Sequence, residues 1–348
     1  MISIISFLIV ISICVISHEG GHYLAAKWRS VLVHEFSFGM GPAIWSRQKG
    51  ETLWSFRVLP SGGYVKLEGE DPGITDGTDK VQYAPARSLC NKKPWERLVI
   101  IAAGASVNLV LAWILTAAYL SGYGIYDFKN TTVGIVMEAK PAYTAGLQSG
   151  DTIKAIDGVP LNKWADIRTH LMNTKDKNDY FAVTYERRGE SHTINIKIPI
   201  DKQHGGRLLG VQPAQVKYPI TKALTHAFSY SWNMGMEILK GMWMVISGQV
   251  KSEVVGPVGI AVMAGDAFKQ GFWSFVAFLG IINLHLGLLN LMPFPALDGG
   301  RIVFIAAEMV SGRKIPEKFE SYAHYAGFIL LIALIVLVTG KDLIKLFN

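Results

Sequence analysis

Two histidines and a glutamate lie close together in the first apolar segment of the chain, in the order His18-Glu19-Gly20-Gly21-His22. On a helix, residues four apart share one face, so both imidazoles would point to the same place. This spacing suits a zinc ion about 2.0–2.1 Å from each nitrogen, with the intervening glutamate as general base. Ionisable groups inside an apolar span are costly and usually mark a functional site. We therefore predict a metal centre here; the alternative is that these polar groups only form hydrogen bonds between helices.

A catalytic zinc ion takes three protein ligands and keeps one position open, so a third ligand must come from another segment. Residues 290–301 end a later apolar span, and Pro293 and Pro295 cannot continue a regular helix. Irregular backbone at membrane depth is tolerated only where it is buried in protein or lines a wet cavity. Asp298 lies in this segment and is the predicted third ligand. His285, earlier in the same span, is predicted to make a polar contact instead of binding the metal.

The elements that position these side chains are predicted to be transmembrane helices. Hydrophobic residues make up 50% of the 348 and charged residues only 18%, less than a soluble protein of this size carries. Four segments are long and apolar enough to cross a bilayer. They are Met1–Ala26, Leu98–Tyr123, Phe272–Met292 and Tyr322–Thr339. Residues 219–250 are predicted to form an interfacial amphipathic helix, with a packing arm as the alternative.

The distribution of charge predicts the topology of the chain. The net charge is +7, but no basic run is interleaved with aromatic residues, so we expect no nucleic-acid partner. Lysine and arginine instead flank the apolar spans, and such residues favour the cytoplasmic side. This bias assigns residues 27–97 and 298–321 to the inside. The N- and C-termini and the long segment between the second and third spans are then outside.

A compact β-rich domain is predicted within that outer segment. Short runs with strand character are separated by turn signals such as Asp157-Gly158 and Arg188-Gly189, and one helical stretch lies between them. The predicted strands are Val133–Met137, Thr152–Ile156, Phe181–Glu186 and Thr193–Ile198, and the helix is Trp164–Met172.

In combination, these motifs resemble those of the site-2 protease family of intramembrane zinc metalloproteases. The segments His18–His22 and Asn290–Gly300 resemble its two signature motifs, and Gly104-Ala-Ser-Val-Asn108 resembles its glycine–asparagine motif. Residues 256–260 resemble a segment that precedes the third core span of bacterial members. Residues 145–158 are similar to protease-associated PDZ domains. The likeness covers nearly the whole chain and is greatest to the bacterial branch that cleaves anti-sigma factors, although this chain has room for one PDZ domain only.

The resemblance implies a polytopic α-helical membrane protein with four transmembrane helices, a membrane-associated β-hairpin and one inserted extracytoplasmic PDZ domain of β-rich α+β type. The expected parts are an N-terminal membrane region (1–126) with a cytoplasmic-side hairpin (36–67), the PDZ domain (127–200), a linker with an amphipathic region (201–271) and a C-terminal membrane region (272–348). The implied location is a bacterial cell membrane, with the active site towards the cytoplasm.

The implied activity is Zn²⁺-dependent cleavage of transmembrane segments in single-span proteins, such as anti-sigma factors or signal-peptide remnants, within the lipid bilayer. Asn108 is expected either to donate to the oxyanion or to form a hydrogen bond between helices. The hairpin would offer a strand edge to an extended substrate, with Asn290 on the opposite side; a plain cytoplasmic hairpin is the alternative. The strand Val133-Gly134-Ile135-Val136 is the expected PDZ edge for a ligand peptide or the outer segment of a substrate.

Two other classes of protein compete with this interpretation. A catalytically inactive, membrane-anchored PDZ adaptor would have no need to keep His18, Glu19, His22 and Asp298 together in an apolar environment. A metal transporter would be expected to carry ionisable residues along several spans, whereas here they cluster at one depth.

Adjacent Gly20 and Gly21 weaken the first helix, and we expect them to permit close approach of a neighbouring backbone.

Overall fold

The computed structural model describes residues 1–70, 85–173, 179–201, 206–250 and 255–347. The chain forms two compact units. The first, the membrane unit, comprises Met1–Tyr119 and Lys222–Asn348, and the second, the strand-rich unit, comprises Leu120–Thr221.

The helices are α1 (Ile2–Trp28), α2 (Pro94–Gly122), α3 (Pro141–Thr144), α4 (Trp164–Asn173), α5 (Ile220–Ile246), α6 (Pro257–Lys269), α7 (Phe272–Leu291), α8 (Asp298–Ser311) and α9 (Glu317–Phe347). The strands are β1 (Val33–Lys49), β2 (Thr52–Leu67), β3 (Ile125–Tyr126), β4 (Val133–Val136), β5 (Thr152–Ile156), β6 (Val159–Pro160), β7 (Tyr180–Arg187), β8 (Glu190–Lys197), β9 (Ile200–Asp201), β10 (Gly206–Arg207), β11 (Val211–Pro213) and β12 (Gln215–Val216). Two short 3₁₀ turns, Pro85–Arg87 and Leu89–Asn91, precede α2.

Four helices of the described residues, α1, α2, α7 and α9, are long and apolar enough to cross a membrane. They coincide with the four predicted spans, so the chain is a multi-pass membrane protein. Helix α2 begins at Pro94, before the predicted start at Leu98, because proline at a first helical position has a suitable φ and needs no hydrogen-bond acceptor. Helix α9 extends beyond the predicted Tyr322–Thr339 at both ends.

Helix α5 contacts two membrane helices. It covers most of residues 219–250, for which an interfacial amphipathic helix is predicted with a packing arm as the alternative. The indole N–H of Trp113 in α2 donates to the carbonyl oxygen of Leu224 at 2.8 Å. Further along α5, Gly235 lies against Leu284 and Leu288 of α7. These contacts join α5 to the side of the helix bundle.

The segment after α1 forms a sheet that differs from the simple hairpin expected for residues 36–67. Strand β1 lies in the middle, because Phe36 pairs with Trp54 on one side and with Val65 on the other. The two arms of β2 therefore flank β1. The half of the sheet close to α1 is packed in a small core, and Phe36 stacks on Trp54 with ring centroids 4.8 Å apart.

The far half of the same sheet is exposed and apolar. Its uncovered large side chains are Met40, Ile44, Trp45, Phe56, Val58 and Leu59. An exposed apolar surface of this kind is typical of contact with lipid or with a partner.

The strand-rich unit contains an antiparallel sheet in the order β6-β5-β7-β8 and a second pair, β4 with β11. The predicted strands and helix of this region correspond to β4, β5, β7, β8 and α4. Both predicted turns, Asp157-Gly158 and Arg188-Gly189, have positive φ at their two central residues, as tight hairpin turns require.

The boundaries of this unit differ from the predicted domain, 127–200, and from the linker predicted after it. Residues 211–216 complete the unit, because β11 pairs with β4 and β12 pairs with β3. The unit therefore extends from Leu120 to Thr221. Sequence patterns alone missed these closing strands because each is only two or three residues long.

Candidate metal centre

Helix α1 places the two predicted histidine ligands one turn apart with their rings facing the same point. The Nε2 atoms of His18 and His22 are 3.2 Å apart, and the rings are nearly perpendicular with centroids at 4.8 Å. The helix continues without interruption through both residues. The i, i+4 spacing therefore gives the paired arrangement that was predicted.

Asp298 is brought to the same point by a sharp fold after α7. That helix ends at Leu291, and α8 begins at Asp298 itself, so the carboxylate lies in the first turn of α8. The fold is tight because a methyl group on Gly299 would lie 1.9 Å from the carbonyl oxygen of Met292. At the adjacent Gly300, a methyl group would lie 2.5 Å from the carbonyl oxygen of Phe294. Only glycine permits this turn.

The three side chains form a triangle of potential metal ligands. Asp298 Oδ2 lies 3.2 Å from His18 Nε2 and 3.4 Å from His22 Nε2. These are the only three His, Cys, Asp or Glu residues in the described part of the chain that are grouped closely enough to hold an ion. Two nitrogens and one carboxylate oxygen form a donor set that zinc favours.

The geometry of the triangle fits a tetrahedral zinc ion. Ligands about 2.0–2.1 Å from a tetrahedral centre are about 3.3 Å from each other. The nitrogen Nδ1 of His22 donates to the carbonyl oxygen of Ile100 at 2.9 Å, so in the neutral ring Nε2 carries a lone pair. Asp298 Oδ2 is buried and has no hydrogen-bond donor among the described residues. Two lone pairs therefore face each other, and a cation between them would remove this repulsion.

Glycines bring α2 and the sheet close to this centre. A methyl group on Gly21 would lie 2.5 Å from the carbonyl oxygen of Ala103 in α2, whereas at Gly20 it would meet no atom of the other described elements within 4 Å. The expected close approach is therefore confirmed for Gly21 and is absent at Gly20. Gly63 in β2 lies beside α1, where a methyl group would be 3.3 Å from Cγ of Glu19. The predicted base is thus next to both the histidines and the sheet.

Asn108 is fully buried in α2 and is bonded to α1. The hydroxyl group of Ser17 donates to Asn108 Oδ1 at 2.6 Å, so the interhelical hydrogen bond considered for this residue is present. Its Nδ2 has no acceptor among the described residues. The same Ser17 hydroxyl lies 3.5 Å from Oδ1 of Asn283, a fully buried residue of α7.

Sequence reasoning missed Asn283 and two charged partners at the edge of the site. An asparagine within an apolar span was the available signal for Asn283. Arg301, one turn after Asp298 in α8, forms an ion pair with Glu70 at the end of the sheet segment. That pair joins two segments far apart in sequence, so no local pattern predicted it.

The remaining predicted residues of the membrane unit, Asn290 and His285, both lie in α7. Asn290 lies in the last turn of α7 and is half-buried. His285 Nδ1 donates to the carbonyl oxygen of Ile281 at 2.9 Å within the same helix. The polar contact predicted for His285 is thus observed.

The strand predicted as the peptide-binding edge of the strand-rich unit has one of its two edges occupied. Strand β4, Val133-Gly134-Ile135-Val136, is paired along its length with β11, and a methyl group on Gly134 would lie 2.4 Å from the carbonyl oxygen of Pro213. Next to its start, Thr132 bridges to Thr152. Strand β11 therefore covers one edge of β4, and in this two-stranded sheet it has an unpaired edge of its own among the described strands.

Comparisons with known proteins identify the family of the chain. The sequence profile of peptidase family M50 matches residues 6–334. The chain is 34% identical over 345 residues to a Fusobacterium nucleatum protein provisionally named as a zinc metalloprotease, covering 98% of each chain. It is 29% identical to the zinc metalloprotease RasP of Geobacillus kaustophilus, covering 99% of this chain and 98% of the relative.

Two further comparisons are with a protease named for regulation and with a solved PDZ domain. The chain is 26% identical to the regulator of sigma-W protease RasP of Bacillus subtilis, covering 99% of each. A PDZ domain of an SdrC-like protein from Listeria monocytogenes has 25% identity over 24% of this chain and 86% of that domain, with a TM-score of 0.21.

Proposed function

The chain belongs to peptidase family M50 and is a zinc metalloprotease, and from this premise we propose that it cleaves peptide bonds within the membrane-spanning segments of single-span membrane proteins. We propose His18, His22 and Asp298 as the zinc ligands and Glu19 as the general base. The triangle of ligand atoms, 3.2–3.4 Å apart and bordered by apolar spans, carries this proposal.

The chemistry divides between the metal and Glu19. When bound, zinc supplies Lewis-acid chemistry, which acidifies water and polarises a carbonyl group. Glu19 accepts the proton of the attacking water and later donates it to the nitrogen of the leaving amine. Its position next to His18 in α1 supports this role.

Asn108 is proposed to have two functions at once. Its Oδ1 is held by Ser17, which fixes the orientation of the amide group. The Nδ2 donor, without a partner among the described residues, is then available to a developing negative charge on the substrate carbonyl. Orientation by Ser17 means that little reorganisation is needed when that charge forms.

The sheet next to α1 is proposed to bind the unwound substrate as an added strand. The arm Gly63–Leu67 pairs with β1 on one side, and no other described strand pairs with it. Because this arm begins beside Glu19, an extended segment along it would bring its peptide bonds to the metal centre. We propose that Asn290, in the last turn of α7, bonds the other side of that segment.

The strand-rich unit is proposed to be an extracytoplasmic PDZ domain that binds a peptide along β11 instead of β4. The carbonyl oxygen of Gly210 accepts from the N–H of Met137, and the N–H of Ala214 donates to the carbonyl oxygen of Thr132. These groups of Gly210 and Ala214 therefore face β4 and the residue before it. Backbone groups alternate along an antiparallel strand, and those of Val211 therefore point away from β4. A ligand peptide or the outer segment of a substrate would pair there.

We further propose that the protein lies in a bacterial cell membrane with both termini outside and the metal centre towards the cytoplasm. The lysine and arginine bias supports this orientation. Anti-sigma factors and signal-peptide remnants are the proposed substrates, since one similar protein is named a regulator of sigma-W protease.

The test is cleavage of tagged single-span substrates by the purified full chain in detergent or liposomes, together with its zinc content. Wild type is expected to contain about one zinc per chain and to cleave. Glu19→Gln is expected to keep its zinc and lose cleavage, and Asp298→Asn is expected to lose both.

Other outcomes would contradict the proposal in distinct ways. Cleavage that persists in Glu19→Gln would exclude the proposed base. Wild type without zinc and without cleavage, but still able to bind peptides, would indicate the adaptor.

A further inference from the structure

The last helix, α9, contacts the loop that carries the metal ligand Asp298. The backbone N–H of Ala296 donates a hydrogen bond of 3.0 Å to Nδ1 of His324 in α9. Ala296 lies two residues before Asp298 and has a φ of +76°, in the left-handed region that disfavours a residue with a side chain. The bond therefore holds the loop at its most strained residue.

The loop needs support from outside because it lacks regular structure of its own. Residues 292–297 separate α7 from α8, and two of them are prolines without a backbone N–H. Within this segment the N–H of Leu297 donates to the carbonyl oxygen of Phe294 at 3.2 Å, and the N–H of Phe294 donates to that of Met292 at 2.7 Å. The amide of Ala296 instead bonds to a side chain from another helix.

Two further contacts fix α9 and the imidazole against the loop. A methyl group on Gly327, one turn after His324, would lie 2.5 Å from the carbonyl oxygen of Pro295, so the α9 backbone touches the loop directly. The ring of Phe304 in α8 lies 5.8 Å from the ring of His324. The imidazole, which projects from α9, thus lies between Phe304 of α8 and the loop, with Nδ1 towards the loop.

The hydrogen bond also defines the state of the ring. An amide N–H can be accepted only by an unprotonated nitrogen, so Nδ1 carries a lone pair and Nε2 carries the proton. Glu320 Oε1 lies 4.0 Å from Nε2 on the same helix. This tautomer is the one in which His324 supports the loop.

We propose that His324 is a positioning residue that holds the carboxylate of Asp298 in register with His18 and His22 and thereby slows the loss of zinc. The inference rests on the proposed function of those three residues. His324 does not contact the metal ligands; it acts through Ala296 and the start of α8. Residues that orient metal ligands contribute substantially to the retention of metals in proteins.

Three substitutions of His324 distinguish the effect of losing the hydrogen bond from the effect of changing the volume of the side chain. His324→Asn keeps an acceptor close to the position of Nδ1, whereas His324→Gln moves it towards the position of Nε2. His324→Leu fills similar space without an acceptor. The measurement is the rate at which zinc passes from the purified full chain to an excess of a coloured chelator, with kcat and KM measured on a single-span substrate.

We expect His324→Leu and His324→Gln to release zinc at least about tenfold faster than wild type. Their kcat should fall while KM stays near the wild-type value, because the substrate-binding edge is unchanged. His324→Asn should resemble wild type in both respects. Equal release rates in all four proteins, or equal defects in Asn, Gln and Leu, would overturn the proposal.

Two controls keep the result clear. Thermal unfolding of each variant tests folding, and if His324→Leu does not fold, the comparison of Asn with Gln decides. Glu19→Gln should release zinc at the wild-type rate without cleaving substrate. If wild type neither holds zinc nor cleaves, the proposed function itself fails; a defect confined to the inference leaves wild-type cleavage intact.

Discussion

Gly104 of α2 lies directly against the imidazole of His22: a methyl group on Gly104 would be 2.3 Å from Nε2 and 2.7 Å from Cε1. Nearby, the backbone of Gly21 in α1 touches Ala103. The two glycines therefore let α1 and α2 approach closely, with the imidazole of His22 packed against Gly104. The position of His22 depends on the absence of a side chain at Gly104.

Gly104→Ala is expected to displace His22 and to abolish zinc binding and cleavage. The ring cannot stay in place, because 2.3 Å is far below a van der Waals contact. Gly20→Ala is the matched control, since its methyl group would meet no atom of the other described elements within 4 Å and should stabilise α1 by about 0.5–1 kcal/mol. Zinc content and substrate cleavage are measured for both variants. Normal zinc content in Gly104→Ala would contradict the observed packing.

Gly63→Ala is expected to reduce cleavage strongly while zinc is retained. Its methyl group would lie 2.8 Å from the carbonyl oxygen of Ser37 and 2.8 Å from Val15 Cγ1, so the sheet must move away from α1. At Gly62 the three atoms nearest to a methyl group would all belong to the flexible Met40 side chain. Gly62→Ala should therefore cleave nearly as wild type does. Equal cleavage by the two variants would argue against a role for this arm in substrate binding.

Asp342→Leu is expected to lower the free energy of unfolding by about 1–2 kcal/mol, as loss of a helix cap does. Asp342 Oδ2 in α9 accepts the backbone N–H of Gly259 at 2.8 Å, in the first turn of α6. Helix α6 packs on α1, which carries the proposed ligands His18 and His22, so the bond links α9 to α1 through α6. Asp342→Asn keeps an acceptor, so its free energy of unfolding should lie between those of wild type and Asp342→Leu. Thermal unfolding in detergent measures the loss, with exposed Lys341→Ala as control.

Asp151→Asn is expected to destabilise the strand-rich unit at neutral pH by about 2 kcal/mol. Burial raises the pKa of Asp151, but hydrogen bonds from Arg187 and from the amide of Gln148 outweigh it and leave the pKa below its ordinary value. The ionised form therefore stabilises the fold. That contribution is complete above about pH 4, the ordinary Asp value, and is lost as the pH falls through the lowered pKa.

Unfolding of wild type and Asp151→Asn at pH 7 and below pH 4 measures this dependence. The difference in stability between the two proteins should shrink as the pH falls. Exposed Glu190→Gln is the control and should change little at either pH. A difference that does not vary with pH would show that the charge of Asp151 is not the cause.

The sequence by itself determined the parts of this protein that depend on local spacing. His18 and His22 lie on one face because helical geometry places residues four apart together, and the two prolines before Asp298 had to end α7. The four spans followed from length and hydropathy alone. Asp157-Gly158 and Arg188-Gly189 formed turns because glycine readily adopts positive φ.

The tertiary structure decided which distant segments meet. Strand β11 covers β4, both arms of β2 flank β1, and Asn283 joins Ser17 near the metal-ligand triangle. Short strands carry too little periodicity to predict a partner, and an asparagine in an apolar span does not reveal which helix it faces. Contacts between helices depend on their rotation and separation, which packing of the whole bundle fixes. For that reason the hydrogen bond from Ala296 to His324, through which we propose that α9 supports Asp298, depends on the packing of α9 and not on any local pattern.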